Sequence, residues 1–177
     1  MSPKIPPYRQ GGLDKLCGVY ALINASRLAD PTLKQKACEE VYLEAVCWLQ
    51  GNGSHRVQLD GLTFNTLLSL HSRVFQEQWP QIRLRRPFMY KRDVPSSAED
   101  FWLWMKNAAS QRGQGVFIGI ESNKGHWSAV REINSTHIYL FDSDKWPNLQ
   151  RSECGCFPEE RKKYLIEPKY VLLLVRN

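Results

Sequence analysis

Cys17 is followed by Gly18 and by the apolar run from Val19 to Ala25, with Gln10 upstream and Gly125-His126-Trp127 and Leu140-Phe141-Asp142 far downstream. In chain order these supply Gln, Cys, His and Asp, the parts of a thiol-nucleophile site. A thiol attacks as its thiolate, a form that a helix N-terminus and a protonated imidazole both favour. The imidazole serves as base and then as acid when a carboxylate holds one tautomer. A side-chain amide and a backbone N–H together can take the charge that develops on a carbonyl oxygen. Cys17 by itself reads as core packing, because unpaired cysteines are common in apolar helices. Gln10, Cys17, His126 and Asp142 in one order turn the reading to catalysis.

Other reactive residues fit that site less well. His137 opens the strand at the far end of a hairpin from His126, His55 sits in a Gly-rich stretch, and His71 falls on a helix; each reads as structural or solvated. Cys38 and Cys47 lie about two and a half turns apart on one helix, too far to chelate a single ion, and read as core. Cys154-Gly155-Cys156 lacks a second ligand pair at zinc-site spacing, so its thiols read as plain loop cysteines. Asp144 competes with Asp142 for the imidazole. Ser128, two residues after His126, is either a donor behind the site or a small residue packed under a helix, and Trp127 is placed to shield the ion pair from water.

The elements that must hold these residues separate along the chain. Its first half has helical periodicity and its second half alternates, without internal repeats or a low-complexity linker, which argues for a single α+β domain over 1–177. Helices are expected over about Leu16 to Leu28 with Asp14 as cap, from Pro31 to about Gln50, over Leu62 to Gln78, and over Ser97 to Arg112 with Gly113 as the stop. The stripe Ala37, Val41, Ala45 and Trp48 marks the inner face of the second. Strands are expected over Gly115 to Ile120, His126 to Ile133, His137 to Asp142 and Tyr170 to Val175, with a weaker one near Ile82 to Phe88. Asn134-Ser135-Thr136 reads as a hairpin turn that pairs Ile133 with His137. That register places His126, Ser128, Asp142 and Asp144 on one face, with His126 opposite Asp144 and diagonal to Asp142.

Composition bounds the remaining possibilities. Forty-two per cent hydrophobic residues in 177 suit one packed core. Five cysteines are an odd number without framework spacing, which favours free thiols and a reducing compartment. No apolar stretch reaches membrane-spanning length and the first ten residues lack a signal-type apolar run, so a cytoplasmic location is expected, with delivery elsewhere as a toxin or effector left open. The net charge of +6 raises nucleic acid as a partner, and Arg83-Leu84-Arg85-Arg86 with Lys91-Arg92 is the densest basic stretch. Moderate charge is a weak signal, and solvated arginines on an edge strand or loop account for it.

The Gln, the Cys-Gly opening an apolar helix, the His beginning a strand and the Asp ending the next one resemble the papain-like cysteine peptidase superfamily, and most closely the bacterial peptidases that process bacteriocin leaders. The resemblance spans Gln10 to Asp144. It implies a papain-like fold, a nucleophile-bearing helix packed on an antiparallel sheet. It further implies that Cys17 attacks, His126 is base then acid, Asp142 orients His126, and the Gln10 amide donates to the oxyanion. Gln10 stands seven positions before Cys17 where that family usually has six, and Gly11-Gly12 can absorb the difference. The activity implied is cleavage of a peptide or isopeptide bond in a protein or peptide substrate, through a thioester, with no cofactor or metal. The same order also serves acyltransferases, transglutaminases and glutamine deamidases, and a non-catalytic basic binding module stands as the reading outside enzymes.

Overall fold

The computed structural model describes residues 6–9, 15–52, 61–144, 146 and 148–177. The first helix, α1 (Cys17–Ala29), is apolar nearly all round and buried accordingly, from Cys17 and Val19 through Ala25 to Ala29. Two glycines set how closely it packs. A Cβ on Gly115 would stand 1.8 Å from the Ala25 carbonyl oxygen, so sheet and helix touch backbone to backbone there. A Cβ on Gly18 would stand 2.7 Å from Leu67 Cδ2, on the next packed helix.

The second helix, α2 (Gln35–Gly51), begins later than expected. Pro31 and Thr32 form a turn instead, because Asp30 Oδ1 accepts from the Thr32 N–H at 3.1 Å and from its hydroxyl at 2.6 Å, a competing local arrangement. The inner stripe of α2 is Cys38, Val41, Ala45 and Leu49. Cys47 is exposed, which corrects its assignment to the core. Two and a half turns from buried Cys38 is the opposite face of a helix.

The third helix, α3 (Phe64–Leu70), is capped by Thr63, whose hydroxyl accepts from the Thr66 N–H, and runs on through a π-turn at His71–Phe75 into Gln76–Gln78. His71 is buried there, stacked on Phe75. The fourth, α4 (Ala98–Ser110), has Ser97 as its cap, accepting from the Asp100 N–H. Gly113 follows at φ +82°, the left-handed conformation that glycine adopts without strain.

The strands are β1 (Ile82–Arg85), β2 (Gln114–Ile120), β3 (His126–Ile133), β4 (His137–Phe141), β5 (Leu149–Gln150), β6 (Cys154–Gly155), β7 (Tyr164–Leu165) and β8 (Val171–Arg176). Six form an antiparallel sheet in the order β1-β8-β2-β3-β4-β5. The chain is therefore α+β. Phe117, Ala129, Phe141, Leu172 and Leu174 face the core shared with α1, α2 and α3. Val116, Ile118, Val130, Leu140 and Leu173, one residue out of step, face the core shared with α4.

β6 and β7 pair in parallel as a separate small ribbon. Cys154 lies in β6, not in a loop, and Cys156 lies in the bend that follows it; both are buried. The backbone N–H groups of Cys156 and Phe157 both donate to Glu160 Oε1 at 2.8 Å, which ties this turn together. All five cysteines are free. Arg83 and Arg85 are exposed on edge strand β1, and Arg86 lies 5.6 Å over the Phe64 ring. Among the described residues no helix is long and apolar enough to cross a membrane.

The β3–β4 hairpin differs from expectation in its turn but not at its other end. Ile133 pairs with Ile138, not His137, because Asn134 Oδ1 accepts from the Thr136 and His137 N–H groups and widens the loop. A bulge at Arg131 then shifts the register by one, so that Val130 faces Leu140 and Ala129 faces Phe141 as the simpler hairpin would have it.

Candidate active site

Three element ends converge. Cys17 is the first residue of α1, His126 the first of β3, and Asp142 directly follows β4. Extending the Ala129–Phe141 register by one pair sets Ser128 opposite Asp142 and leaves His126 one diagonal away. His126 Nε2 lies 2.7 Å from Asp142 Oδ2. The Ser128 hydroxyl donates to the same Oδ2 at 2.5 Å. On the other oxygen, Asp142 Oδ1 accepts from the backbone N–H of Asp144 at 2.8 Å and of Trp146 at 3.2 Å.

This arrangement fixes charges and roles. Burial alone would raise the Asp142 carboxyl, but the hydrogen bond and charge of His126, with the donors Ser128 and Asp144, hold it below the ordinary carboxylate range. The ionised Asp142 occupies Nε2, so Nδ1 is the ring nitrogen left to serve a thiol. Burial by itself would lower the His126 imidazole; hydrogen bonds and charge from Asp142 and Cys17 outweigh it and raise the group from 6.5 to about 9. His126 is thus protonated near neutrality while 7% exposed.

Cys17 and His126 line one cavity of about 740 Å³, with Gly119, Trp127, Trp146 and Tyr170 among its other walls. A Cβ on Gly119 would come within 2.6 Å of Trp127 Cζ3, so the absent side chain leaves the indole its place. Trp127 does not cover the imidazole as expected. Its Nε1 donates to the Leu62 carbonyl at 2.9 Å, and its ring stacks on Phe117 at 5.4 Å. Trp146 takes that part, stacked on His126 at 4.5 Å with 8° between planes.

The other candidates sort plainly. Asp144 is exposed at the cavity wall and contributes its backbone to Asp142 instead of its carboxylate to His126. Ser128 is a donor to the site, not mere packing under the helix. His71 lies away from the cavity's lining, and burial lowers its imidazole to about 4. Gln10, Asp14 and His55 lie outside the described residues. The N-cap position of α1 is Leu16, which makes no side-chain cap bond. A helix leaves its first N–H groups without intrahelical acceptors, and Cys17 carries the first of these. Ser128 was findable from period-two alternation after His126; Trp146 was not, because a loop has no period. Among the described residues no His, Cys, Asp and Glu cluster could hold a metal ion. Neither a protein-family model nor a curated protein matches the chain.

Proposed function

We propose that the protein is a papain-like cysteine hydrolase that cleaves a peptide or isopeptide bond in a protein or peptide substrate through a thioester. The observation that carries this reading is a single buried carboxylate, saturated by four donors, that holds His126 by Nε2 and leaves Nδ1 to Cys17. In the proposed mechanism Cys17 Sγ attacks the carbonyl carbon as a thiolate beside protonated His126. The carbonyl oxygen takes the negative charge and is met by the Cys17 backbone N–H, with the Gln10 amide as the second donor. On collapse, the bond to the leaving nitrogen breaks as His126 gives it a proton. His126 then deprotonates a water molecule, whose oxygen attacks the thioester carbonyl; the C–S bond breaks, releasing the carboxylic acid and restoring the thiolate beside protonated His126. Asp142 orients the ring and compensates its charge throughout; it does not accept the proton.

Iodoacetamide labelling of Cys17 against pH, in the parent and in His126→Ala, tests this. The expected result is fast labelling of Cys17 at neutral pH in the parent, lost in the variant. Slow labelling in both removes the basis for a thiolate–imidazolium pair.

A further inference from the structure

One set of buried polar contacts on α1 is not used by the chemistry above. Asn24, with no exposed surface, pairs with the backbone of Tyr8 in both directions: the Tyr8 N–H donates to Asn24 Oδ1 at 2.9 Å, and Asn24 Nδ2 donates to the Tyr8 carbonyl at 3.1 Å. One turn further along, Arg27 Nη1 donates to the Pro6 carbonyl at 2.7 Å, and its guanidinium lies 4.5 Å over the Tyr8 ring.

Arg27 is only 8% exposed, its Nε has no hydrogen-bond partner, and among the described residues no carboxylate forms an ion pair with it. A buried cation in that state is costly, and an apolar side chain of similar shape would serve packing better. The hydrogen bond Arg27 does make is to segment 6–9, and its guanidinium lies over the Tyr8 ring at 4.5 Å and the Phe141 ring at 5.9 Å. The contacts with segment 6–9 also have a direction. Pro6 sits at Arg27 and Tyr8 at Asn24, so the segment runs antiparallel to α1, toward the end that Cys17 begins. Asn24 is seven residues from Cys17, about 10 Å along the axis.

We propose that Asn24 and Arg27 are positioning residues that seat residues 6–9 as a strap on the nucleophile helix, directed toward the end that bears Cys17. The strap serves productive acyl transfer and leaves thiol activation to His126 and Asp142, whose contacts are separate from it. This rests on the hydrolase reading. Asn24 and Arg27 hydrogen-bond backbone atoms of the strap, and the Arg27 guanidinium over the Tyr8 ring adds a side-chain contact to the seat.

The test compares the parent with Asn24→Ala, Arg27→Met and Arg27→Lys. Three readouts are needed: hydrogen exchange at the Tyr8 amide, the iodoacetamide rate at Cys17, and kcat and KM on a p-nitrophenyl acyl ester. Asn24→Ala and Arg27→Met are expected to speed Tyr8 exchange at least tenfold and to lower kcat by about tenfold to a hundredfold, with KM and Cys17 labelling within about twofold of the parent. Arg27→Lys, which keeps a donor for the Pro6 carbonyl, falls between. Arg27→Met, which removes a buried charge, keeps its thermal midpoint and so remains informative if Asn24→Ala unfolds. A freed Tyr8 amide with unchanged kcat overturns the proposal, as does labelling that falls in step with kcat, since that marks general loosening of the site. A parent that labels slowly and turns over no ester fails the hydrolase reading before any variant is compared.

Discussion

Asp142→Asn tests the electrostatics of the site most directly, because it keeps the side chain's shape and removes its charge. The molecule contains its own reference. His71 and His126 are buried to nearly the same degree, 5% and 7% exposed, yet burial acting alone takes His71 to about 4 while His126 stands at about 9. The difference is the work of Asp142 and Cys17. A rise from 6.5 to about 9, at ~1.4 kcal/mol for each factor of ten, couples about 3 kcal/mol of stability to the protonated imidazole. The sign follows from linkage: a folded-state value above the unfolded one gives stability that is fully present below pH 6.5 and is lost as pH rises through about 9. Asp142, held below its ordinary range, contributes in the other sense, with stability present above the carboxylate range and lost as pH falls through its depressed value. In Asp142→Asn the His126 titration, followed by NMR of the ring Cε1–H, should fall to 6.5 or below. Urea unfolding of the parent should weaken by about 3 kcal/mol between pH 6.5 and pH 9.5, and the variant should not show that loss. If His126 in the variant still titrates near 9, or if the parent's stability is flat across that window, the assignment of the elevated imidazole to Asp142 is wrong.

Other substitutions probe separate contacts. Ser128→Ala leaves His126 as the sole side-chain donor to Asp142 Oδ2; it should raise the carboxyl, move the acid-side loss of stability to higher pH and cost about 2 kcal/mol by urea unfolding, while Ser128→Thr, which keeps the hydroxyl, stays near the parent. Gly115→Ala puts a Cβ 1.8 Å from the Ala25 carbonyl oxygen, and backbone cannot swing aside as a side chain can; a loss of about 3 kcal/mol is expected in denaturant, and an unchanged midpoint would mean that α1 is not seated on β2. Iodoacetamide mapping by mass spectrometry on the native protein should modify Cys17 in the cavity and exposed Cys47, with Cys38, Cys154 and Cys156 reacting only after denaturation; burial raises all three of those thiols, the last two to about 12.

Much of the frame was legible from local pattern. The alternation of β3 and β4 and the mostly apolar run of α1 give an antiparallel hairpin and a central buried helix, because side-chain period follows from backbone geometry. The His126–Asp142 diagonal was predicted through a turn that is itself different. The widened loop at Asn134 and the bulge at Arg131 each displace the register by one and cancel. Neither leaves a mark in the alternation, since each is settled by a few side-chain and backbone hydrogen bonds.

What the sequence by itself determined is the division into a helical half and a strand half, the α+β class, and the alternation that puts His126, Ser128 and Asp142 on one face. Those depend on neighbours a few residues apart. What only the tertiary structure decided is which groups from distant segments meet: Trp146 over the His126 ring where Trp127 was expected, Ser128 as a donor to Asp142, Cys47 outside and Cys154 and Cys156 inside, and residues 6–9 strapped to α1 by Asn24 and Arg27. The physical reason is that contacts between distant segments depend on how helices and sheet pack. A buried polar group takes whichever partner that packing brings within hydrogen-bond distance, and short-range pattern in the chain does not encode that choice.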